Sequence, residues 1–241
     1  LQHGGSVALI DINKQKLQAL KDKLIDYKNE NINIFECDIT DKNQVENVLK
    51  KINKGKNNIV GLINNAAINP TGSQSLNDSN ELENFNLDNW DLELNVGIKG
   101  ALICTMIFGS NMAKNKYGSI INISSDLGLI APDHRIYNNK KSISKNYKPV
   151  TYSVIKHALV GLTKYTATYW HEHGIRCNTL HPGGIRDDQN SDFLSKVSEL
   201  IPLGRMANKE EYRGAIVFLL SDASSYMTGS SMVIDGGRTI W

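Results

Sequence analysis

The fold is decided by one stretch of this sequence, Gly118-Ser119-Ile120-Ile121-Asn122-Ile123-Ser124-Ser125. Its apolar residues form a short run bounded by a glycine, which is typical of a strand buried on both faces. Two serines close the run, where a purely structural strand has no need of hydroxyl groups. The stretch therefore predicts a parallel strand that carries polar side chains to its carboxyl end.

Similar apolar runs recur along the chain, and helical patterns separate them. Strands are predicted at residues 6–11, 32–38, 58–67, 118–125, 175–181 and 231–235. Helices are predicted at 13–28, after an N-cap at Thr40, at 92–114, from 152 to about 173, at 193–200 and at 209–221. Alternating strands and helices predict the α/β class, with a Rossmann-like, doubly wound parallel sheet. Because we find no repeat and no second zone of composition, we expect residues 1–241 to form a single domain.

The composition is that of a soluble protein. The net charge is +2, and 22% of the 241 residues are charged, so no basic surface for nucleic acid is expected. We recognise no apolar run of 18 residues and no leader, so no membrane association is expected. The three cysteines (Cys37, Cys104 and Cys177) lie far apart, which argues against a disulfide framework or a metal site and fits the cytoplasm.

Tyr152 and Lys156 are four residues apart in the pattern of a helix, so their side chains project from one face. A phenol normally keeps its proton up to about pH 10. A nearby ammonium group favours the phenolate and lowers that pKa, which a tyrosine needs to act as an acid or base. The same spacing also occurs by chance on surface helices.

Other small or polar residues follow the predicted strands, where a parallel sheet binds its ligands. An acid at Asp11 can accept both hydroxyls of a ribose and repels a 2′-phosphate, which favours NAD over NADP; the alternative is a turn aspartate. Asp38 either meets an adenine or caps the next helix. Asn65, Ala66 and Ala67 leave room for a cofactor, or simply form a turn.

Together these residues resemble the short-chain dehydrogenase/reductase family. The resemblance is carried by Asn64-Asn65-Ala66-Ala67, Ser124-Ser125, Tyr152-x-x-x-Lys156, Pro182-Gly183 and Ile234-Asp235-Gly236-Gly237. It implies that Tyr152 is the general acid/base, that Lys156 lowers the tyrosine pKa and binds the nicotinamide ribose, and that Ser125 orients the substrate oxygen. The implied cofactor-binding residues are Asp11, Asp38, Ile39, Asn65, Ala66, Ala67, Tyr152, Lys156, Pro182, Gly183 and Ile185.

The resemblance also gives a role to Asn95, in Leu94-Asn95-Val96-Gly97. It matches the asparagine that holds a water molecule in the family's proton relay, and so completes a catalytic set with Ser125, Tyr152 and Lys156. The alternative is a helix asparagine that bonds locally, which would bend or weaken the helix.

The glycine-rich turn of the family is absent from this sequence. It should precede Asp11 by about 20 residues, but only ten residues precede Asp11 here. We therefore expect an N-terminally truncated chain that lacks the first strand and that turn. A gap should then divide the sheet, and the 241 residues alone should bind NAD weakly and be inactive.

A second departure is an insertion at about 131–150, between Ser125 and Tyr152. Its basic residues are His134, Arg135, Lys140, Lys141, Lys145 and Lys148. It is either a solvated hairpin or oligomer contact, or a lid that recognises an anionic substrate such as a sugar phosphate. The insertion, with Asp187 and Trp241, resembles family members linked to flagellin modification and nonulosonic-acid sugar biosynthesis.

The sequence thus predicts an NAD-dependent oxidoreductase that interconverts a secondary alcohol and a ketone, on a carbohydrate-derived substrate. One alternative is a catalytically silent Rossmann-fold protein that serves binding or assembly, because the glycine-rich turn is missing. Another is an NADPH enzyme acting on a lipid-like ketone, against which Asp11 and the basic insertion argue. The apolar surface of the helices at 92–114 and 156–169 predicts a homodimer or homotetramer.

Overall fold

A computed structural model describes residues 1–24, 31–55, 58–68, 80–138 and 146–241. The predicted strands are present: β1 is Val7–Asp11, β2 Ile32–Glu36, β3 Gly61–Asn64, β4 Gly118–Ile123, β5 Ile175–Pro182 and β6 Ser231–Ile234. All pairings are parallel, and helices separate the strands, so the α/β class is confirmed. The assignment of residues 1–241 to a single domain stays a prediction.

The described strands form two sheets, with the orders β1-β2 and β3-β4-β5-β6. The register pairs Asn64 with Asn122, and Pro182 with Ile234, so the carboxyl ends of β3 to β6 meet at one edge. No pairing joins β1 to β3 in the described part of the chain. The expected gap in the sheet is thus present, whereas an N-terminal truncation stays a prediction.

The principal helices follow the predicted pattern, with shifted ends. They are Lys14–Lys23, Lys42–Ile52, the long helix Leu87–Lys114, the Tyr152 helix Val150–Tyr169, Ser191–Glu199 and Arg213–Leu220. The N-cap at Thr40 was a wrong prediction. Asp41 caps that helix, because its carboxylate accepts from the backbone N–H groups of Asn43 and Gln44 at 2.8 and 3.3 Å.

The core joins the two sheets through the long helix. One cluster contains buried Val45 and Val48, and buried Ile103 and Phe108 of the long helix, with Ile10 of β1 and Leu62 of β3 packed against them. These contacts hold the sheets together although their strands do not pair.

The long helix is long and apolar enough to cross a membrane by length and composition, with a mean hydropathy of 1.4. The expectation that no segment has these properties was wrong. In the structure, 56% of the 18-residue apolar window of this helix is buried, which is typical of a core helix in an α/β domain.

Candidate active site

The end of β4 is fastened to the Tyr152 helix by two hydrogen bonds. The Ser124 hydroxyl donates to the carbonyl oxygen of Lys156 at 2.7 Å, and Lys156 Nζ donates to the carbonyl oxygen of Ile123 at 2.9 Å. Ser125, the next residue, interacts with the Tyr152 hydroxyl. The structure therefore brings Ser125, Tyr152 and Lys156 together, as the sequence predicts.

Burial raises the pKa of Tyr152; a hydrogen bond with Ser125 acts in the opposite direction, and the negative charge of Asp126 raises it further. Lys156 is also buried, which together with the charge of Lys148 lowers its pKa to about 8. The expected lowering of the Tyr152 pKa by Lys156 is not found in this site.

A second lysine contacts the tyrosine. Lys148 Nζ lies 3.8 Å from the centroid of the Tyr152 ring, whereas Lys156 Nζ lies 5.5 Å from it. Burial lowers the pKa of Lys148 to about 8, against the attraction of Asp126 and Glu93. The sequence suggested Lys148 only as part of a lid, and its place over the catalytic ring became visible from the structure alone.

Two other basic residues of the insertion are described by the structure, and both interact with neighbours within the insertion. Arg135 is exposed and pairs with Asp133 at 2.7 Å, and the ring of His134 packs edge-on against that of Tyr147. Lys140, Lys141 and Lys145 lie outside the described residues. A lid formed by the whole insertion stays a prediction.

A buried ion pair beside Ser125 was not predicted from the sequence. The Ser125 hydroxyl donates to Asp126 Oδ1 at 2.6 Å, and Arg238 Nε lies 2.9 Å from Asp126 Oδ2. Asp126 and Arg238 are each only 6% exposed. The available signal was a charged residue directly after each of two motifs, Ser124-Ser125 and Gly236-Gly237.

Asn95 begins a π-helical turn of the long helix, Asn95–Gly100. Such turns occur frequently at functional sites. The long helix packs against the Tyr152 helix here, since the Thr151 hydroxyl donates to the buried Glu93 carboxylate. The structure places Asn95 near the Tyr152 helix, and its proton-relay role stays a prediction.

Small exposed residues follow β3 at the same edge of the sheet. Asn65, Ala66 and Ala67 are exposed, while Asn64 Nδ2 donates to Asn122 Oδ1 at 2.8 Å and to Thr105 Oγ1 at 3.0 Å. The side chain of Asn64 thus fixes the strand end, and the next three residues leave open space beside β4.

Pro182, Gly183 and Ile185 lie at the carboxyl end of β5, as predicted. The Gly183 N–H donates to the carbonyl oxygen of Ile234 at 2.8 Å, and its own carbonyl accepts from the Tyr212 hydroxyl at 2.9 Å. Ile185 remains partly exposed. This turn is therefore held rigidly beside the end of β4.

Asp11 is the last residue of β1, and Asp38 and Ile39 follow the end of β2. Asp11 Oδ1 accepts from the Asn13 N–H at 2.8 Å, and Asp38 Oδ1 accepts from the N–H and hydroxyl of Thr40 at 2.8 and 2.7 Å. Ile39 packs into the core against the long helix. Asp11 thus forms the turn that was its alternative interpretation. The alternative for Asp38, capping of the next helix, was wrong, because Asp41 caps that helix and Asp38 bonds to Thr40 instead. Cofactor contacts for all three residues stay predictions.

Comparisons with known proteins agree with this fold. A family model described as enoyl-(acyl carrier protein) reductase matches residues 1–239. A 3-oxoacyl-[acyl-carrier-protein] reductase of Thermotoga maritima is 31% identical over 243 residues, covering 99% of this chain and 89% of the relative. The post-translational flagellin modification protein A of Campylobacter coli is 31% identical over 239 residues, covering 98% and 90%. The solved structure of ElxO with NADP bound is similar with a TM-score of 0.83 and 25% identity, covering 100% of this chain and 91% of that one.

Proposed function

Because the chain belongs to the short-chain dehydrogenase/reductase family, we propose that it is an NAD-dependent oxidoreductase acting on a secondary alcohol or ketone derived from a carbohydrate. The observation that carries the proposal is the meeting of Ser125, Tyr152 and Lys156 at the carboxyl end of β4. This set favours an enzyme over a silent binding protein, which needs no buried tyrosine beside a serine hydroxyl.

The side chains suit proton transfer at one oxygen of the substrate. Tyr152 Oη would take the proton of an alcohol or return it to a ketone, and Ser125 Oγ would orient the same oxygen. Lys156, held at the carbonyl of Ile123, keeps the helix and β4 in register. A nicotinamide, when bound, supplies the hydride chemistry.

The residues at the sheet edge fit such a cofactor. Asn65, Ala66 and Ala67 have small side chains and are exposed, so the backbone there is open to close approach. Pro182 and Gly183 would lie against the nicotinamide on the other side of β4. Asp11 is exposed at the end of β1, and its charge favours the free ribose hydroxyls of NAD over the phosphate of NADP.

For the substrate, we propose an anionic carbohydrate derivative. The ammonium groups of Lys148 and Lys156 both lie beside the Tyr152 ring, and positive charge at this place favours a substrate group of negative charge. The likeness to the flagellin modification protein supports the same direction. The family model and the Thermotoga relative instead suggest an acyl thioester, which the experiment must include.

The test is a nicotinamide absorbance assay of the full-length protein with four substrate groups: neutral polyols, sugar phosphates, nucleotide sugars and 3-oxoacyl thioesters. Turnover of an anionic sugar with NAD, lost in Tyr152→Phe, is expected. Turnover of thioesters alone would overturn the carbohydrate proposal. Turnover that persists in Tyr152→Phe would overturn the assignment of the acid/base.

We also propose that the protein is a homodimer or homotetramer. Met106 of the long helix, and Tyr165 and Tyr169 of the Tyr152 helix, are 45%, 67% and 63% exposed, although they lie on core helices. Light scattering should show a dimer or tetramer, and the Tyr165→Glu replacement should shift the association equilibrium towards the monomer. A monomer at micromolar concentration would contradict the proposal.

A further inference from the structure

The ion pair of Asp126 and Arg238 has no part in the reaction as proposed, yet it lies directly beside Ser125. Arg238 Nε approaches Asp126 Oδ2 without the alignment of a hydrogen bond, and Nε and Nη1 have no hydrogen-bond partner among the described residues. Burying such a pair seldom stabilises a fold more than apolar side chains of equal size do. A role in the site gives a better reason for its presence.

The geometry fixes where the hydroxyl proton of Ser125 points. Ser125 Oγ lies 2.6 Å from Asp126 Oδ1, and an ionised carboxylate can only accept, so the serine is the donor. The Leu127 N–H donates to both groups, at 3.2 Å to Ser125 Oγ and 2.8 Å to Asp126 Oδ1. A hydroxyl has one proton. While that proton faces Asp126, Ser125 cannot donate to Tyr152 or to a substrate oxygen.

We propose that Asp126, fixed in place by Arg238, is a positioning residue that holds the Ser125 proton away from Tyr152 until a substrate oxygen competes for it. Ser125 would then donate to the substrate oxygen only when substrate arrives. The inference rests on the proposed function, because it concerns the serine assigned there to the substrate oxygen.

Other charged or titratable groups lie near the Ser125 hydroxyl, but their contacts are with other atoms. Lys148 and Lys156 face the tyrosine ring, Glu93 is bonded to Thr151, and His181 Nδ1 lies 2.8 Å from the backbone oxygen of Ser125. Tyr137 lies within electrostatic reach of both Tyr152 and Arg238. Asp126 is the charged group that the structure places in hydrogen-bond contact with Ser125 Oγ.

The test is a titration of Tyr152 in the cofactor-free protein, followed by NMR of ¹³Cζ-labelled tyrosine and assigned with Tyr152→Phe. The double variant Asp126→Leu/Arg238→Met removes both charges together and leaves neither one buried alone. Ser125 is then free to donate to the phenolate, so the pKa of Tyr152 should fall by about one pH unit, a tenfold gain in tyrosinate at a given pH. In a Ser125→Ala background, the same double replacement should change the Tyr152 pKa by less than a third as much.

An unchanged pKa, or an equal change with and without Ser125, would overturn the positioning role. If the double variant does not fold, Asp126→Asn keeps an oxygen for Arg238 while weakening the acceptor for Ser125. The Tyr152 pKa should fall there too, and a rise would overturn the inference. If the Tyr152 pKa does not change as expected, the dehydrogenase proposal is unaffected. If the pKa changes as expected but no nicotinamide turnover is found, the proposed function alone is contradicted.

Discussion

Lys148 lies closer to the ring of Tyr152 than Lys156 does, with its ammonium 3.8 Å from the ring centroid against 5.5 Å. Tyr152 lies midway in sequence between the two lysines, and Pro149 caps the helix between Lys148 and the tyrosine. A cation over a ring face is attracted to it, most strongly where water is excluded. The tyrosine therefore has two lysines beside it, the partly buried Lys148 and the buried Lys156, both with a pKa lowered to about 8.

Lys148→Met should stabilise the protein at neutral pH. Burial lowers the pKa of Lys148 from its usual 10.5 to about 8, so the unfolded chain binds more protons than the folded one between these values. The resulting penalty is complete below about pH 8 and fades as the pH rises to 10.5. Allowing for the lost ring contact, we expect a gain of about 2 kcal/mol in the free energy of unfolding at pH 7.

Chemical unfolding at pH 7 and pH 10 measures this effect. Lys164→Met is the matched control, because Lys164 is exposed on the Tyr152 helix and its replacement should leave stability within about 0.5 kcal/mol. A Lys148→Met variant that is less stable than wild type at pH 7, or whose advantage grows with pH, would contradict the buried charge.

The same replacement should harm the reaction. If Lys148 helps to hold an anionic substrate at the ring, Lys148→Met should raise the KM about tenfold or more, since a charge-assisted bond contributes about 1.5–3 kcal/mol. Arg135→Met is the comparison, because Arg135 is exposed and already paired with Asp133, and its KM should change less than threefold. Equal effects of the two variants in steady-state kinetics would argue for a lid that uses the whole insertion.

Much of this arrangement was predictable from sequence. Apolar runs and strand-end residues predicted the parallel sheet. Helical spacing predicted the pairing of Tyr152 with Lys156, and the family resemblance added Ser125. The N-cap was predicted at Thr40 and found at Asp41. Both residue types are good caps, and only the backbone geometry decides between neighbours.

Burial of charge could not be predicted, because it depends on contacts between distant parts of the chain. Asp126 and Arg238 are brought together by β4 and the turn after β6, and neither residue type is commonly buried. Burial also raises the pKa of Tyr152, opposite to the expected direction, because desolvation disfavours the phenolate.

Gly128→Ala should disturb the junction of β4 with the Tyr152 helix. An added Cβ would clash with Ser124 Oγ and lie 2.8 Å from the backbone oxygen of Lys156, which cannot move without the helix. We expect a loss of about 1–3 kcal/mol in stability, as for other overpacked sites.

Gly161→Ala, within the Tyr152 helix, is the control, because an added Cβ meets no atom within 4 Å. That variant should be neutral or more stable by up to about 1 kcal/mol. Thermal unfolding of both would settle it, and equal losses would contradict the tight contact at Gly128.

Asp11→Asn should weaken the discrimination between NAD and NADP. The amide oxygen can still accept from the Asn13 N–H, so the turn that Asp11 forms in the structure is kept while its charge is lost. Without that charge, the 2′-phosphate of NADP is no longer repelled, and the ratio of kcat/KM for NAD to that for NADP should fall at least tenfold, or about 1.4 kcal/mol. Asp38→Asn is the control, because both hydrogen bonds to the Asp38 carboxylate come from Thr40 in its own turn. In this variant, the ratio of kcat/KM for NAD to that for NADP should change by less than threefold. Kinetics with each cofactor at saturating substrate would measure both variants. A wild-type preference for NADP would remove the role of Asp11, whereas a larger change in Asp38→Asn would move cofactor selection to the end of β2.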